Sequence, residues 1–205
     1  MSNLQDIIKQ RRSVRKFLPK SVPQDLILEV LEAAGWAPSA HNSQPWRFII
    51  LDNANVKADL AKRMADAWAA DLKNDGLTAE ESIRLERMER FANAPVLVLA
   101  CLTMEGLRKF PDKKRQSYER DLAVESLGAG LENLLLTANA SGLGACWYCA
   151  PAFCKDIVRK VLKIPESVEP SALIILGYPD ESPPVPPKKE LKEYCYLNRY
   201  GQALC

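Results

Sequence analysis

Apolar residues recur along this chain with two spacings, which predict helices alternating with short strands. Segments with an apolar residue every three or four positions predict helices at 4–8, 23–35, 56–72, 81–91, 118–141 and 151–162. Four short apolar runs, at 46–52, 95–102, 145–149 and 171–177, have the length of strands. The segment 103–117 is charged and irregular, so we expect a loop there. Gly142 is expected to end the longest helix.

We expect the 205 residues to form a single domain over 1–205. The helical pair within 54–93 is expected to form an excursion or a lid over one face. A proline-rich tract begins at Pro179 and cannot form a helix or a central strand. It is expected to act as a stiff linker for a C-terminal arm, so that 179–205 extends from the body. Tyr194, Tyr196 and Tyr200 on that arm would be buried against a partner subunit.

Composition and charge narrow the functional class. Hydrophobic residues make up 47% and charged residues 26%, which is ordinary for a soluble globular protein. The formal net charge of +2 gives no electrostatic reason to expect nucleic acid or an anionic membrane as a partner. No apolar run approaches the length of a membrane-spanning helix, and the N-terminus lacks the apolar core of a signal peptide. We therefore expect a cytoplasmic protein with free thiols.

The single histidine, His41, excludes zinc sites built from two or more histidines. A phosphate-binding loop of the form G-x-x-x-x-G-K-[ST] is absent from the sequence. Gly128-Ala-Gly130 and Gly142-Leu-Gly144 each begin like a dinucleotide fingerprint, but neither is followed by the third glycine. The sequence therefore gives no indication of a Rossmann site for a nicotinamide cofactor.

Two polar stretches contain the candidate functional residues. The first, RRSVR, places the guanidinium groups of Arg11, Arg12 and Arg15 and the hydroxyl of Ser13 within five residues. Guanidinium groups match the geometry of a phosphate, although a solvated basic turn has the same composition. The second, PSAHNSQPW, lies between a predicted helix and a predicted strand. Its polar side chains suit a ligand-binding loop, and an ordinary connection between the two elements is the alternative.

The order of these motifs resembles that of the FMN-dependent nitroreductase family. RRSVRKF near the N-terminus is followed by APSAHNSQPWRF, then by a long helix rich in small residues, GLGACW, LIILGYP, a proline tract and a basic pair. The resemblance covers essentially the whole chain. It implies an α+β fold in which a mixed sheet is sandwiched by helices. It also implies an intertwined homodimer with FMN at the subunit interface.

The resemblance also assigns residues to the cofactor. It implies that the basic motif holds the phosphate and ribityl chain, and that the polar loop reaches the flavin across the interface with His41 beside it. The basic pair after the proline tract would complete the phosphate site, and Arg199 is a weaker candidate. The family segment that matches 149–150 lies against the flavin. The implied cofactor-binding residues are Arg11, Arg12, Ser13, Arg15, Pro38, Ser39, Asn42, Gln44, Cys149, Ala150, Lys188 and Lys189.

The implied activity is ping-pong hydride transfer from NADH or NADPH, through bound FMN, to a nitroaromatic, a quinone or another electron-poor acceptor. The reaction belongs to the cofactor, so no protein acid, base or nucleophile is expected. Backbone groups, with either Arg15 or Gln44, are expected to stabilise the reduced flavin. Two alternatives stay open. One is a flavoprotein that is reduced by a protein donor or acts on a flavin, a deazaflavin or an activated double bond. The other is an FMN-binding sensor or storage protein.

One segment departs from the family pattern. Some members have an acidic residue and a glycine at the positions of Cys149 and Ala150. Cys146, Cys149 and Cys154 are most simply small buried residues, and a redox-active pair is an alternative. A metal or iron–sulfur site is a further alternative, and it would need a fourth ligand from Cys101, Cys195 or Cys205.

Overall fold

A computed structural model describes residues 3–203 of the chain. The helices are α1 (Leu4–Gln10), α2 (Gln24–Gly35), α3 (Ala54–Asn74), α4 (Glu81–Ala92), α5 (Lys113–Ala140) and α6 (Lys155–Leu162). The strands are β1 (Trp46–Leu51), β2 (Val96–Thr103), β3 (Gly144–Tyr148) and β4 (Val168–Gly177). Short 3-10 turns cover Ala40–Asn42, Ala150–Phe153 and Leu191–Glu193. Within residues 3–203, no helix is both long and apolar enough to cross a lipid bilayer.

The four strands form one sheet in the order β1-β2-β4-β3, and each neighbouring pair is antiparallel. A single parallel bridge joins Ser13 to Ala145 at the outer edge of β3. The predicted α+β class is therefore confirmed. The sheet was expected to combine parallel and antiparallel pairing. Among the described residues, that one bridge is the only parallel pairing.

Alternation along the central strands divides the core into two layers. Val98 of β2 and Ile174 of β4 point to one face, where they pack in a cluster with residues of α2 and α5. Leu99 and Leu173 point to the other face, where they pack in a cluster with residues of α3, α4 and α6. The sheet therefore lies between two helical layers, and the helical pair within 54–93 covers one face together with α6.

The longest helix begins earlier than the sequence indicated. The segment 113–117 was expected to be irregular, but α5 begins at Lys113. The Asp112 carboxylate caps it by accepting the Arg115 N–H at 2.8 Å. This first turn carries charged rather than periodic apolar side chains, so the hydrophobic pattern does not reveal it. Similarly, Pro151 lies in a 3-10 turn, and α6 itself begins at Lys155.

After β4 the chain runs beside the N-terminal segment. The Leu18 N–H donates to the Tyr178 carbonyl, and the Asp180 N–H donates to the Lys16 carbonyl, both at 2.9 Å. Beyond this contact the tract 182–190 contains no helix or strand. Tyr194 and Tyr200 on the following segment are exposed. The C-terminal arm and its partner subunit stay predictions.

The end of β4 offers a direct test of this packing. A Cβ atom on Gly177 would lie 2.6 Å from Pro95 Cγ and 2.9 Å from Phe17 Cδ1. Gly177→Ala should therefore lower the free energy of unfolding by about 1–3 kcal/mol, measured by urea denaturation. Gly35→Ala is the matched control because nothing lies within 4 Å of its added Cβ. Equal stability of the two variants would contradict the packing at Gly177.

Candidate functional site

The basic motif lies against the free edge of β3. The Val14 N–H donates to the Ala145 carbonyl at 3.0 Å, and Ser13 forms the parallel bridge to the same residue. Gly144 permits this approach, because a Cβ atom there would lie 2.9 Å from the Val14 side chain. Beyond this single bridge the chain passes to the end of β4, where Phe17 forms an antiparallel bridge with Pro179.

A cavity of about 190 Å³ lies beside this motif. Arg11 and Arg12 line one side of it, Asn139 of α5 lines another, and Ser182 lines a third. The Arg11 guanidinium is 3.7 Å from a carboxylate oxygen of Glu132, which is a loose ion pair. The buried Nε of Arg12 has no hydrogen-bond partner among the described residues. Cationic donors are therefore available to a ligand at this position.

The main chain at the end of the motif already holds an anion. One carboxylate oxygen of Glu181 accepts the Arg15 N–H at 2.5 Å and the Lys16 N–H at 3.1 Å. The Arg15 N–H bond is the main cause that holds the pKa of Glu181 below its usual value. Successive N–H groups that converge on one oxygen form an anion-binding concavity. Together with the arginines, this geometry fits a phosphate group.

The polar loop has an unusual backbone. His41, Asn42 and Gln44 have φ values of 55°, 53° and 45°, in the left-handed region that side chains other than glycine rarely adopt. The Ser39 hydroxyl accepts the Gln44 N–H at 3.1 Å, and Ser126 Oγ of α5 accepts the Ala40 N–H at 3.1 Å. Such clustered strain is typical of ligand-binding segments.

The exposed side chains of this loop remain free to meet a ligand. The Asn42 and Gln44 side chains are exposed and make one long hydrogen bond to each other at 3.4 Å. His41 Nε2 lies 3.5 Å from Oε1 of Glu119, a buried carboxylate on α5. Pro38 is exposed immediately before the turn. The loop therefore presents a set of amide and imidazole groups on a fixed backbone.

Within one chain, helix α5 keeps the polar loop and the basic motif apart. The loop contacts α5 at Ser126, whereas Asn139 of α5 donates to the Ile7 carbonyl at 3.2 Å, just before the motif. These anchors are thirteen residues apart (139 minus 126), which is about 20 Å along a helix. The predicted cofactor residues therefore form two separate groups in the monomer.

The turn after β3 lies near the basic motif. The Tyr148 ring packs edge-on against Phe91 with centroids 5.2 Å apart, and its hydroxyl is buried without a partner among the described residues. Burial, reinforced by the neighbouring Cys146, raises the pKa of Tyr148 to about 12, while the positive charges of Arg90 and Arg15 act in the opposite direction. Arg15 is thus close enough to Tyr148 to act on it, and Cys149 and Ala150 follow directly.

The cysteines differ in their surroundings. Cys146 is buried, Cys154 is half-buried and Cys149 is exposed. The prediction that these cysteines are small buried residues is therefore confirmed for Cys146 and wrong for Cys149. Burial raises the pKa of Cys154 to about 11. Within residues 3–203, no three His, Cys, Asp or Glu side chains are grouped as metal ligands. Cys205, one candidate for a fourth ligand, lies outside the described residues.

The basic pair after the proline tract, Lys188 and Lys189, is exposed, and so is Arg199. Within the described part of the chain, neither lysine makes an ion pair with a carboxylate. Ser182 and Pro183 line the 190 Å³ cavity, so the tract that carries these lysines starts beside the basic motif. Their role in a phosphate site stays a prediction.

Three residues near the candidate site were not identified from the sequence. They are Glu119, Tyr148 and Glu181. A buried carboxylate on a charged helix and an acidic residue in a proline tract carry no sequence signal of their partners. Glu119, for example, accepts the Arg108 N–H at 3.2 Å across a loop. Only the folded chain brings these groups together.

Comparison with known proteins agrees with the geometry. YfhC of Bacillus subtilis (strain 168), described as an NAD(P)H nitroreductase, is 30% identical over 192 residues, covering 94% of this chain and 92% of YfhC. A BluB-like flavoprotein from Clostridium difficile 630 has a similar structure, with a TM-score of 0.77, 26% identity and coverage of 97% of this chain and 100% of that one.

An oxidised iodotyrosine deiodinase bound to FMN and 3-iodo-L-tyrosine is also similar. Its TM-score is 0.71 with 25% identity, and the match covers 98% of this chain and 100% of that one. The model of the nitroreductase family matches residues 8–178, which include the basic motif, the polar loop and all four strands. The chain therefore belongs to the nitroreductase family.

Proposed function

We propose that this protein is an FMN-dependent oxidoreductase that uses NADH or NADPH to reduce a nitroaromatic, a quinone or another electron-poor acceptor. The observation that carries the proposal is the anion-binding geometry at the basic motif. There, Arg11 and Arg12 line one cavity, and the buried Nε of Arg12 has no partner among the described residues. Glu181 lines the same cavity and accepts the successive N–H groups of Arg15 and Lys16. The family relationship supports oxidoreductase chemistry, and the flavin-containing relatives support the choice of cofactor.

In this proposal, Arg11, Arg12 and Ser13 bind the FMN phosphate and ribityl chain, together with Arg15. Cys149 and Ala150 then contact the ring system, and Lys188 and Lys189 add positive charge to the phosphate. When bound, FMN would accept a hydride from the nicotinamide and pass two electrons to the acceptor. The protein orients the cofactor, and the cationic side chains stabilise its negative charge.

The separation along α5 supports a shared site. The α5 anchors of the polar loop and of the segment before the basic motif are about 20 Å apart along the helix, so within one chain the two groups lie towards different ends of α5. We infer that the polar loop of one subunit, with Pro38 at its start, completes the site of its partner in a homodimer. The exposed Trp36 and Leu28 of α2, near the loop, are consistent with a surface that a second subunit covers.

Phosphate recognition by Arg11 can be separated from ring recognition. Arg11→Gln removes one charge-assisted contact, so the Kd for FMN should rise about 10- to 100-fold. The Kd for riboflavin, which lacks the phosphate, should stay within about two-fold because the lost contact has no counterpart. Flavin fluorescence titration measures both constants. Arg63→Gln is the control, since Arg63 is exposed and pairs only with Asp59 on α3. Equal losses for both flavins would contradict the assignment.

Mixed dimers test whether the site is shared. One subunit carries Arg11→Gln, and the other carries Asn42→Ala with Gln44→Ala. If the loop acts across the interface, the mixed dimer keeps one intact FMN site, because both defects fall on the other site. Tandem affinity tags isolate the mixed species, and FMN titration should give about one tight site per dimer. No tight site in the mixed dimer would show that each chain builds its own site.

Anaerobic spectra of the purified protein test the activity. We expect an absorption spectrum of bound flavin that is bleached by NADH or NADPH and returns when a quinone is added. If only a reduced protein donor bleaches the flavin spectrum, that donor would take the place of NADH or NADPH in the proposal. A spectrum that no donor bleaches would favour the sensor or storage alternative, and a protein that does not bind FMN would contradict the whole proposal.

A further inference from the structure

A second and larger cavity, of about 700 Å³, lies on the sheet face that α3 and α4 cover. Its walls include Trp68 of α3, Arg87 and Phe91 of α4, and Ala150 and Phe153 of the turn after β3. This volume falls in the range of pockets that hold small organic molecules. Phe153 is 84% exposed, so a large aromatic group at this cavity is left without a neighbour.

Arg87 is the one cationic side chain on the cavity wall, and its surroundings differ from those of the nearby arginines. Its guanidinium carbon lies 4.3 Å from the centroid of the Trp68 ring. Among residues 3–203 it forms no ion pair with a carboxylate, whereas Arg63, Arg84 and Arg90 each do. Burial, and then the charge of Arg90, lower the pKa of Arg87, while the negative charge of Glu86 acts in the opposite direction. A half-buried guanidinium that forms no ion pair is a favourable partner for an anionic ligand.

The other charged groups on the wall limit the charge of that ligand. Asp71 and Asp75, near the C-terminal end of α3, are exposed, and neither pairs with Arg87. Because both carboxylates repel negative charge, the anionic group of a ligand is restricted to contact with Arg87, and a dianion is disfavoured. Phe91, Phe153 and Met64 provide apolar surface for a flat ring. The wall therefore suits a small aromatic molecule with one acidic group.

One residue, Ala150, is shared by this cavity and the proposed cofactor site. This residue lines the cavity and is also one of the residues assigned to the flavin ring. We propose that the cavity binds aromatic monocarboxylates, with the carboxylate on Arg87 and the ring against the aromatic wall, and that it is the acceptor pocket. The acceptor role rests on the proposed function, whereas the binding site itself does not.

A nitrobenzoate is a suitable probe because its reduction has a simple balance. The nitro group takes up two electrons and two protons, loses one oxygen as water and becomes a nitroso group. NADH or NADPH is oxidised to NAD⁺ or NADP⁺ and supplies a hydride, which carries both electrons and one proton. Solvent supplies the second proton, and the carboxylate on Arg87 is unchanged.

The first experiment measures binding to the FMN-loaded protein by isothermal titration calorimetry. The probes are 4-nitrobenzoate and 4-nitrobenzamide, which have nearly the same shape and differ in charge. Arg87→Gln should raise the Kd for 4-nitrobenzoate at least ten-fold and change that for 4-nitrobenzamide less than about two-fold. Arg87→Lys keeps the charge and should recover part of the affinity. Arg63→Gln, on the exposed side of α3, should change neither constant.

The second experiment separates this inference from the proposed function. In steady state, Arg87→Gln should raise the KM for 4-nitrobenzoate by a similar factor and leave kcat within about two-fold. Arg87-dependent binding without turnover of either probe would support the pocket and contradict the proposed activity. Equal effects on both probes, or no binding of 4-nitrobenzoate when FMN is bound, would overturn the pocket.

Discussion

Helix α5 sets the distances on which the candidate site depends. It runs for 28 residues from Lys113 to Ala140, which is about 42 Å, and it packs against the sheet along one face. Helix α2 can approach α5 closely at Gly130, which has no side chain. A Cβ atom added there would lie only 3.3 Å from the Ala34 carbonyl oxygen. Ser126 anchors the polar loop and Asn139 anchors the segment before the basic motif. The helix therefore holds the polar loop and the basic motif at different places along its length.

The edge of β3 determines how the basic motif is presented. Backbone pairing of Val14 with Ala145 holds the motif along the strand, and the missing side chain of Gly144 makes room for it. The Arg15 and Lys16 N–H groups then converge on Glu181. A phosphate could compete with this carboxylate for the same donors, because both are oxygen anions that accept backbone hydrogen bonds. The turn after β3 continues the same edge towards Cys149 and Ala150.

The two faces of the sheet carry different parts of the proposed chemistry. On the α5 side, the helix keeps the polar loop exposed and strained, as suits a segment that meets a ligand. On the α3–α4 side, the larger cavity combines Arg87 with an aromatic wall. Ala150 lines the second cavity and is one of the residues proposed to contact the flavin. In the proposed reaction, cofactor and acceptor would therefore meet at the turn that ends β3.

The sequence by itself determined the family, the two candidate motifs and most of the helices and strands. Apolar spacing and turn residues are local signals, so α2, α3 and the central strands were predictable from them. The hydrophobic pattern did not predict structure where charge or capping decides it. The start of α5, which Asp112 caps, is the example. Only the tertiary structure paired Glu181 with the basic motif, placed Glu119 near His41 and left Arg87 beside a cavity with no ion pair among residues 3–203. These contacts join residues far apart in sequence, and hydrophobic periodicity carries no information about which distant polar groups will meet.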